Sequence, residues 1–161
     1  MKKKLETERL YLREFTLDDA EMIFQMHQDA VITKYTGDPI PWDNIELVQQ
    51  ILTDAILPQY KNNIGRWAVY LKSTNEFLGW CGLKDVDGEI DLGYRYIQKY
   101  WGKGYATEAA KAVLNYGIKL KNIIGRADSR NTASIKVLEK IGLRFKEKYL
   151  EGEIESVKYC A

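Results

Sequence analysis

The order of apolar and polar residues predicts a chain that opens with a strand followed by a helix. Residues 10–15, Leu-Tyr-Leu-Arg-Glu-Phe, alternate as a strand with one buried face does. Asp18 is suited to cap a helix whose apolar side chains recur at helical spacing as far as His27. Helical periodicity returns over residues 45–57, and we expect Pro58 to end this second helix. Between the two helices the composition predicts a turn-rich connection.

The middle of the chain has the pattern of an antiparallel meander. Residues 66–71 and 77–83 are rich in β-forming side chains and flank a short polar stretch, which predicts a hairpin. A turn at residues 86–89 leads to a third strand over 90–97. An alanine-rich helix is then predicted over 107–120. A glycine-containing loop therefore joins a strand to a helix in mid-chain.

The final third of the chain predicts one more strand, one more helix and a hairpin. The strand covers residues 122–127, and the helix covers 131–141 and is closed by a glycine. The hairpin strands are residues 145–150 and 154–160. The elements together indicate an α/β fold (α+β by some schemes), with a mixed, mostly antiparallel sheet of about seven strands and flanking helices.

Size, composition and charge narrow the interpretation. The chain has 161 residues, of which 45% are hydrophobic, so we expect a single domain over residues 1–161. Its 24 Lys+Arg and 23 Asp+Glu give a net charge of +1, which favours neither nucleic acid nor an anionic membrane as a partner. There is no apolar run of about 20 residues and no signal-like start, so we expect a cytoplasmic protein. We expect Lys2, Lys3 and Lys4 to form a solvated terminus.

Cysteine and histidine usage argues against a disulfide framework and against a metal. Cys81 and Cys160 lie far apart, and Cys81 stands in an apolar strand-like run, which favours reduced thiols. His27 is the one histidine, so the usual zinc spacings cannot be assembled. We therefore expect no metal, with an all-carboxylate Mg²⁺ site left open.

The loop between the third meander strand and the alanine-rich helix is a candidate anion site. Gly102 and Gly104 allow a ligand to approach the backbone, and free N–H groups at the helix start favour a diphosphate, with Lys103 as an auxiliary. The same glycines also fit a dinucleotide fingerprint, but that loop would follow the first strand of a parallel unit, and Thr107 stands at the third glycine position. The string typical of a P-loop is absent.

Three spaced motifs carry a resemblance to a known family. Gly93-Tyr94 is followed by Tyr100-Trp-Gly-Lys-Gly-Tyr-Ala-Thr-Glu-Ala109 and then by Asn131-Thr-Ala-Ser-Ile-Lys-Val-Leu-Glu-Lys-Ile-Gly142. In this order they resemble the GNAT superfamily of acyl-CoA N-acetyltransferases, and most of all its ribosomal-protein N-terminal (alanine) acetyltransferase branch. The likeness begins at Thr7-Glu-Arg-Leu-Tyr-Leu-Arg13 and spans nearly the whole chain.

The resemblance implies a GNAT-like sheet whose fourth and fifth strands are splayed, with acetyl-CoA as cosubstrate. The family's diphosphate-binding motif falls on Trp101, Gly104 and Ala106, and Trp101 stands where the family usually has Gln or Arg. The splay would separate residues 95–97 from 123–125 and leave backbone groups free for the pantetheine arm. The implied coenzyme-binding residues are Arg95, Tyr96, Ile97, Gly102, Lys103, Gly104, Tyr105, Ala106, Thr107 and Asn131.

Catalysis in such a site needs a neutral amine and a leaving thiolate, and we expect direct attack in a ternary complex. Asp91 is the candidate proton acceptor, because similar enzymes often carry a Glu at this strand position and alternation places it on the face of Gly93 and Arg95. A solvated Asp91, or one paired with Arg95, is the alternative.

The candidate for the proton donor or thiolate stabiliser lies in the helix after Asn131. Many family members use a Tyr there, but this chain has Leu138 at the matching position. In the ribosomal-protein branch a first-turn serine takes the role, and Ser134 occupies the equivalent place. Ser134 could equally be an ordinary first-turn serine, and Asn131 is a good helix N-cap with or without a ligand.

The acceptor is a small-molecule amine or a protein N-terminus, chosen by residues 29–42, where the sequence has no readable code. We expect a monomer or a homodimer. Two other functions stay open at this point: a catalytically silent acyl-CoA-binding module, which Leu138 favours, and a nucleotide-dependent oxidoreductase, which the loop alone would allow.

Overall fold

The computed structural model describes residues 2–36 and 42–161 and is built around one sheet. Its eight strands are β1 (Lys3–Glu6), β2 (Leu10–Glu14), β3 (Arg66–Leu71), β4 (Phe77–Val86), β5 (Glu89–Tyr96), β6 (Ile123–Asp128), β7 (Arg144–Glu151) and β8 (Ile154–Cys160). They lie in the order β1-β2-β3-β4-β5-β6-β8-β7. Only β5 and β6 pair in parallel. The expected mixed, mostly antiparallel sheet is confirmed, with one more strand than predicted.

Helices cover both faces of this sheet. In the described part of the chain they are α1 (Ala20–His27), α2 (Ala30–Thr33), α3 (Ile45–Ile51), α4 (Tyr105–Tyr116) and α5 (Thr132–Lys140). Successive residues of a strand point to opposite faces. Trp67 and Val69 of β3 accordingly join the core that contains α4 and α5, whereas Ala68 packs with α1 and α3. The sheet is therefore buried on both sides near its centre.

Lys3 and Lys4 belong to β1. The side chains of Lys2 and Lys3 are exposed, as expected, but Lys4 is half-buried, so the expectation of a solvated terminus was wrong for Lys4. Lys3 is paired with Arg13 of β2, and the ammonium of Lys4 lies 5.8 Å from the centre of the Trp67 ring. A lysine can cover aromatic surface with its apolar stem while its charged end stays near water. This packing is why a strand forms where the sequence has little apolar pattern.

The helix after the glycine loop is shorter and starts earlier than predicted. It covers Tyr105–Tyr116 instead of residues 107–120. Gly104 is its N-cap and Gly117 its C-cap. A side chain at Gly117 would begin 2.8 Å from Leu83 Cδ1, so this close contact with β4 fixes the point where the helix ends.

Pro58 does not end the second predicted helix. α3 ends at Ile51, a wider helical turn covers Leu52–Ile56, and a tighter turn covers Leu57–Asn62. Pro58 stands in the first turn of this last segment, where the missing N–H costs nothing. The proline therefore starts a new helical segment instead of terminating one.

The predicted turn between β4 and β5 is confirmed. Val86 pairs with Glu89, and both central residues, Asp87 and Gly88, are left-handed, with φ of 53° and 87°. Two consecutive left-handed residues are typical of the tight turn that matches the twist of a hairpin. This turn aligns Asp91 and Gly93 with the facing residues of β4.

The last features of the fold concern the length of the helices and the state of the two cysteines. No helix within residues 2–36 and 42–161 is long and apolar enough to cross a bilayer. Cys81 and Cys160 are both free thiols. Burial raises the pKa of the Cys81 thiol to about 12, so this thiol is protonated and unreactive at neutral pH.

Candidate functional site

The central feature of the site is a gap in the sheet between β5 and β6. The two strands pair only at Ile90 with Ile123 and at Asp91 with Ile124. Beyond these positions β5 stays on β4 as far as Tyr96, and β6 stays on β8. We call this divergence the fork. The predicted splay is confirmed, but it begins later on β6 than expected, because Ile123 and Ile124 are the paired residues and the open edge starts at Gly125. The fork leaves unpaired strand edges on both sides.

A loop of residues 101–107, here called the coenzyme loop, lies beyond the end of β5. Gly102 and Gly104 have φ of 74° and 81°, a region that glycine adopts at no steric cost. In the part of the chain that the structure describes, the main-chain N–H groups of residues 102–107 make no hydrogen bond. They stand at the N-terminus of α4, where the helix dipole adds about half a positive charge. This arrangement suits a diphosphate.

Trp101 fixes the start of the coenzyme loop. Its indole N–H donates to the carbonyl of Tyr96 at 2.9 Å, and the side chain is 46% exposed. The substitution of Trp for the family's usual Gln or Arg therefore supplies a link between the loop and the end of β5. The neighbouring Ile97 donates its N–H to Leu78 of β4 at 2.9 Å, so this group faces away from the fork.

The N-terminus of α5 lies on the other side of the fork. Asn131 accepts the N–H of Ser134 at 3.2 Å and so caps the helix, as the sequence alone suggests. The hydroxyl of Tyr94 donates to the carbonyl of Ser134 at 2.9 Å, and the hydroxyls of Tyr94 and Ser134 are 3.0 Å apart. Because the proton of Tyr94 is directed at the carbonyl, its oxygen accepts from Ser134.

Two neighbouring side chains, Tyr94 and Leu138, define the surroundings of Ser134. Burial raises the pKa of Tyr94 well above its ordinary value, so the phenol stays protonated. Leu138, at the position of the family's tyrosine, is 1% exposed and lies against Gly125 of β6. A side chain at position 138 therefore fills the core instead of reaching the fork.

Asp91 lies where the fork opens and is paired with two arginines. Its carboxylate accepts from Arg66 at 2.8 Å and from Arg126 at 3.3 Å. The guanidinium of Arg66 lies against Gly93, and a Cβ atom added to Gly93 would be 2.7 Å from its Nη1. The same guanidinium lies 4.9 Å from the centre of the Trp80 ring. The ion pairs join β3, β5 and β6 across the point of divergence.

Aromatic and basic side chains line the acceptor side of the site. The rings of His27 and Trp42 are stacked with centroids 3.9 Å apart. His27 Nδ1 donates to the carbonyl of Ile23 at 2.8 Å, and Nε2 accepts from Arg95. Hydrogen bonding at both ring nitrogens gives the lone histidine a structural role. Of the region expected to choose the acceptor, residues 37–41 lie outside the described residues.

The cleft that contains all these groups has a volume of about 1320 Å³. Asp91 and Ser134 both line it, as do all the predicted coenzyme-binding residues except Ile97 and Lys103. No group of three or more His, Cys, Asp or Glu within residues 2–36 and 42–161 could hold a metal ion.

Sequence reasoning missed three residues that shape this cleft. Tyr94 was part of a quoted motif but had no assigned role, and its contact with Ser134 gives it one. Arg66 and Arg126 reach Asp91 from 25 and 35 residues away in the chain. In the sequence, each arginine is a charged residue in a mostly apolar strand, and this pattern does not show which residue it contacts.

Comparison with known proteins identifies the family. The acetyltransferase (GNAT) domain profile matches residues 9–144. The chain belongs to the GNAT acetyltransferase family. The uncharacterized N-acetyltransferase p20 of Bacillus licheniformis is 32% identical over 163 residues, which covers 96% of this chain and 88% of that protein. GNAT enzymes transfer the acetyl group of acetyl-CoA.

Two solved structures show the same architecture as this GNAT chain. A GNAT-family acetyltransferase from Bacillus anthracis has a TM-score of 0.77 and 26% identity and covers 98% of this chain and 96% of its own. The ribosomal L7/L12 α-N-protein acetyltransferase RimL, solved with coenzyme A, has a TM-score of 0.85 and 14% identity. The match covers 99% of this chain and 97% of RimL. At 14% identity the likeness shows the fold alone.

Proposed function

We propose that the fork and the coenzyme loop bind acetyl-CoA and that the acetyl group passes directly to a primary amine. The observation that supports this most is the gap between β5 and β6 beside unpaired N–H groups of residues 102–107. The diphosphate would lie against these N–H groups, and the pantetheine arm would lie along the fork. The thioester carbon would then be close to Ser134 and Asp91, which line the same cleft.

The reaction that we propose needs no covalent intermediate. The nitrogen lone pair of the neutral amine attacks the thioester carbonyl, the C–N bond forms, and the C–S bond breaks with its electron pair on sulfur. The nitrogen loses a proton and the thiolate gains one. Ser134 is the proposed donor of a hydrogen bond or proton to the thiolate, because its hydroxyl lies at the N-terminus of α5.

Asp91 is the proposed acceptor of the amine's proton, directly or through water. Its two arginine partners hold the carboxylate at the point where the fork opens. A positioned general base contributes roughly 10²–10⁴-fold to the rate.

The proposed acceptors are a small-molecule amine or a protein N-terminus such as that of a ribosomal protein. RimL, which shares the fold, is a ribosomal-protein α-N-acetyltransferase, and this supports the second class without deciding for it. We also propose that the enzyme works in the cytoplasm, as a monomer or a homodimer, with neither nucleic acid nor membrane as a partner. The free thiols and the net charge of +1 support this proposal.

Release of coenzyme A thiol tests the proposal. Acetyl-CoA is incubated with the protein and a panel of amino acids, polyamines, drug amines and peptides with different N-terminal residues, with a no-amine reaction as control. We expect thiol release with at least one amine class, together with the acetylated amine detected by mass spectrometry. Binding of acetyl-CoA without transfer to any member would indicate a silent coenzyme-binding module and contradict the proposal.

A further inference from the structure

Arg9, in the turn between β1 and β2, contacts the coenzyme loop from the side away from the fork. Its Nη1 donates to the carbonyl of Lys103 at 3.0 Å, and its guanidinium lies 4.5 Å from the centre of the Tyr105 ring. Its Nη2 is 3.4 Å from the position that a side chain on Gly104 would occupy. Arg9 thus contacts Lys103 and Tyr105, the residues on either side of Gly104.

The hydrogen bond to Lys103 sets the direction of an N–H group that the ligand would need. In a trans peptide the carbonyl and the N–H point to opposite sides. The carbonyl of Lys103 points to Arg9, so the N–H of Gly104 in the same peptide unit points away from Arg9. Gly104 lines the cleft, whereas Arg9 does not.

Glu108, in the first turn of α4, holds Arg9 in this position. Its carboxylate accepts from Nε of Arg9 at 2.6 Å, from the main-chain N–H of Arg9 at 2.9 Å, and from the hydroxyl of Thr7 at 2.5 Å. Burial opposes the charged form of Glu108, but the hydrogen bonds from Thr7 and Arg9 outweigh it and lower the pKa of the carboxyl. The β1–β2 turn and the start of α4 are therefore joined through charged hydrogen bonds.

We propose that Arg9 is a positioning residue of the coenzyme site, which holds the loop so that its main-chain N–H groups face the diphosphate before the coenzyme binds. The inference rests on the proposed function and adds a residue to it. A preformed loop binds more tightly because less ordering is needed on binding. The effect should be confined to ligands that have the diphosphate, since Arg9 contacts the coenzyme loop, where the diphosphate is proposed to bind.

Arg9→Ala tests the inference with two acetyl donors. We expect the dissociation constant of coenzyme A, measured by calorimetry, to rise about tenfold, the effect of losing one charge-assisted hydrogen bond. The kcat/KM with S-acetylpantetheine, which lacks the diphosphate, should equal that of the wild type. Arg9→Gln, which keeps an amide donor but no charge, should show a smaller rise and serves if Arg9→Ala does not fold.

Two further variants separate positioning from charge. Arg9→Lys keeps the charge, but its ammonium lacks the planar guanidinium that donates to both the Lys103 carbonyl and the Glu108 carboxylate. We therefore expect only partial recovery of affinity. Arg144→Ala removes an exposed arginine from β7 and should bind coenzyme A as the wild type does.

The inference is overturned by unchanged affinity in Arg9→Ala, by full recovery in Arg9→Lys, by an equal loss in Arg144→Ala, or by an equal loss with S-acetylpantetheine. If the wild type itself does not bind coenzyme A, the proposed function fails instead, so the two failures are distinguishable.

Discussion

Ser134 illustrates how single residues are placed for the proposed chemistry. Its N–H is bonded to Asn131, its carbonyl accepts from Tyr94, and its hydroxyl lies 3.0 Å from the hydroxyl of Tyr94. Each of these bonds restricts the position of the serine, so its hydroxyl only has to turn its proton from Tyr94 to the sulfur when negative charge develops there. A serine whose only role was a hydrogen bond to the first turn of α5 would not need the hydrogen bond with Tyr94 of β5.

Ser134→Ala should therefore lower kcat by up to about 10²-fold, the lower end of the effect of a positioned proton donor. The KM for acetyl-CoA should stay unchanged, because the diphosphate contacts lie in the coenzyme loop. Steady-state kinetics measures both constants, and Ser73→Ala, in the exposed turn between β3 and β4, is the matched control. An unaltered kcat would remove Ser134 from the mechanism.

Asp91→Asn should lower kcat/KM for the amine by about 10²-fold, the lower end of what a positioned general base contributes. The asparagine keeps the shape of the side chain, and its one carboxamide oxygen can still accept from Arg66 or from Arg126. Circular dichroism checks that the fold is preserved. The loss should be greatest at low pH, where most of the amine is protonated and its proton must be removed. A pH profile parallel to that of the wild type would exclude Asp91 as the proton acceptor.

At the scale of elements, the coenzyme loop depends on the left-handed backbone of Gly104. Here φ is 81°, and an added side chain would point towards Arg9 and away from the cleft. A substitution would thus act through the backbone and not by filling the phosphate space. Gly104→Val should raise the dissociation constant of coenzyme A more than tenfold, or about 1.4 kcal/mol, within the usual cost of such strain.

Calorimetry with coenzyme A measures this effect, and circular dichroism checks that the helix content is kept. Gly152→Val is the control, since Gly152 is also left-handed, with φ of 64°, but lies in the β7–β8 turn. Equal affinity of the Gly104 variant and the wild type would show that the loop geometry does not govern binding.

The sequence predicts the elements that depend on contacts between neighbouring residues of the chain. The meander, its Asp87-Gly88 turn and the capped helix after Asn131 depend on local pattern and were predicted correctly. The fork came from the family resemblance, because no periodicity shows where two strands stop pairing. β1 and the arginines on Asp91 depend on contacts between distant residues, and no local pattern contains them.

For the whole molecule, the carboxylates of two ion pairs, Asp19 and Glu108, predict how stability depends on pH. Asp19 accepts two hydrogen bonds from Arg13 and one from the N–H of Thr16. Burial opposes the charged form, but the hydrogen bonds outweigh it and lower the pKa of Asp19 below 3.8. Glu108 is likewise lowered below 4.5. A carboxyl with a lowered pKa in the folded state stabilises the fold above its unfolded pKa, and this contribution is lost as the pH falls through the folded pKa.

The free energy of unfolding should therefore be steady near neutral pH and fall as the pH drops below about 4.5, the unfolded value of the glutamate. Urea unfolding at a series of pH values measures it. Asp19→Asn should be less stable at pH 7 and should lose less stability on acidification. An identical pH slope in the variant and the wild type would show that the Arg13–Asp19 pair does not contribute.

The central claim concerns the whole cleft: a diphosphate held by main-chain N–H groups at the start of α4, with the rest of the coenzyme in the fork. A crystal structure of the complex with coenzyme A tests it most directly. We predict diphosphate oxygens within hydrogen-bond distance of the N–H groups of residues 104–107 and the pantetheine arm between β5 and β6. Coenzyme bound elsewhere, with the coenzyme loop empty, would contradict the account.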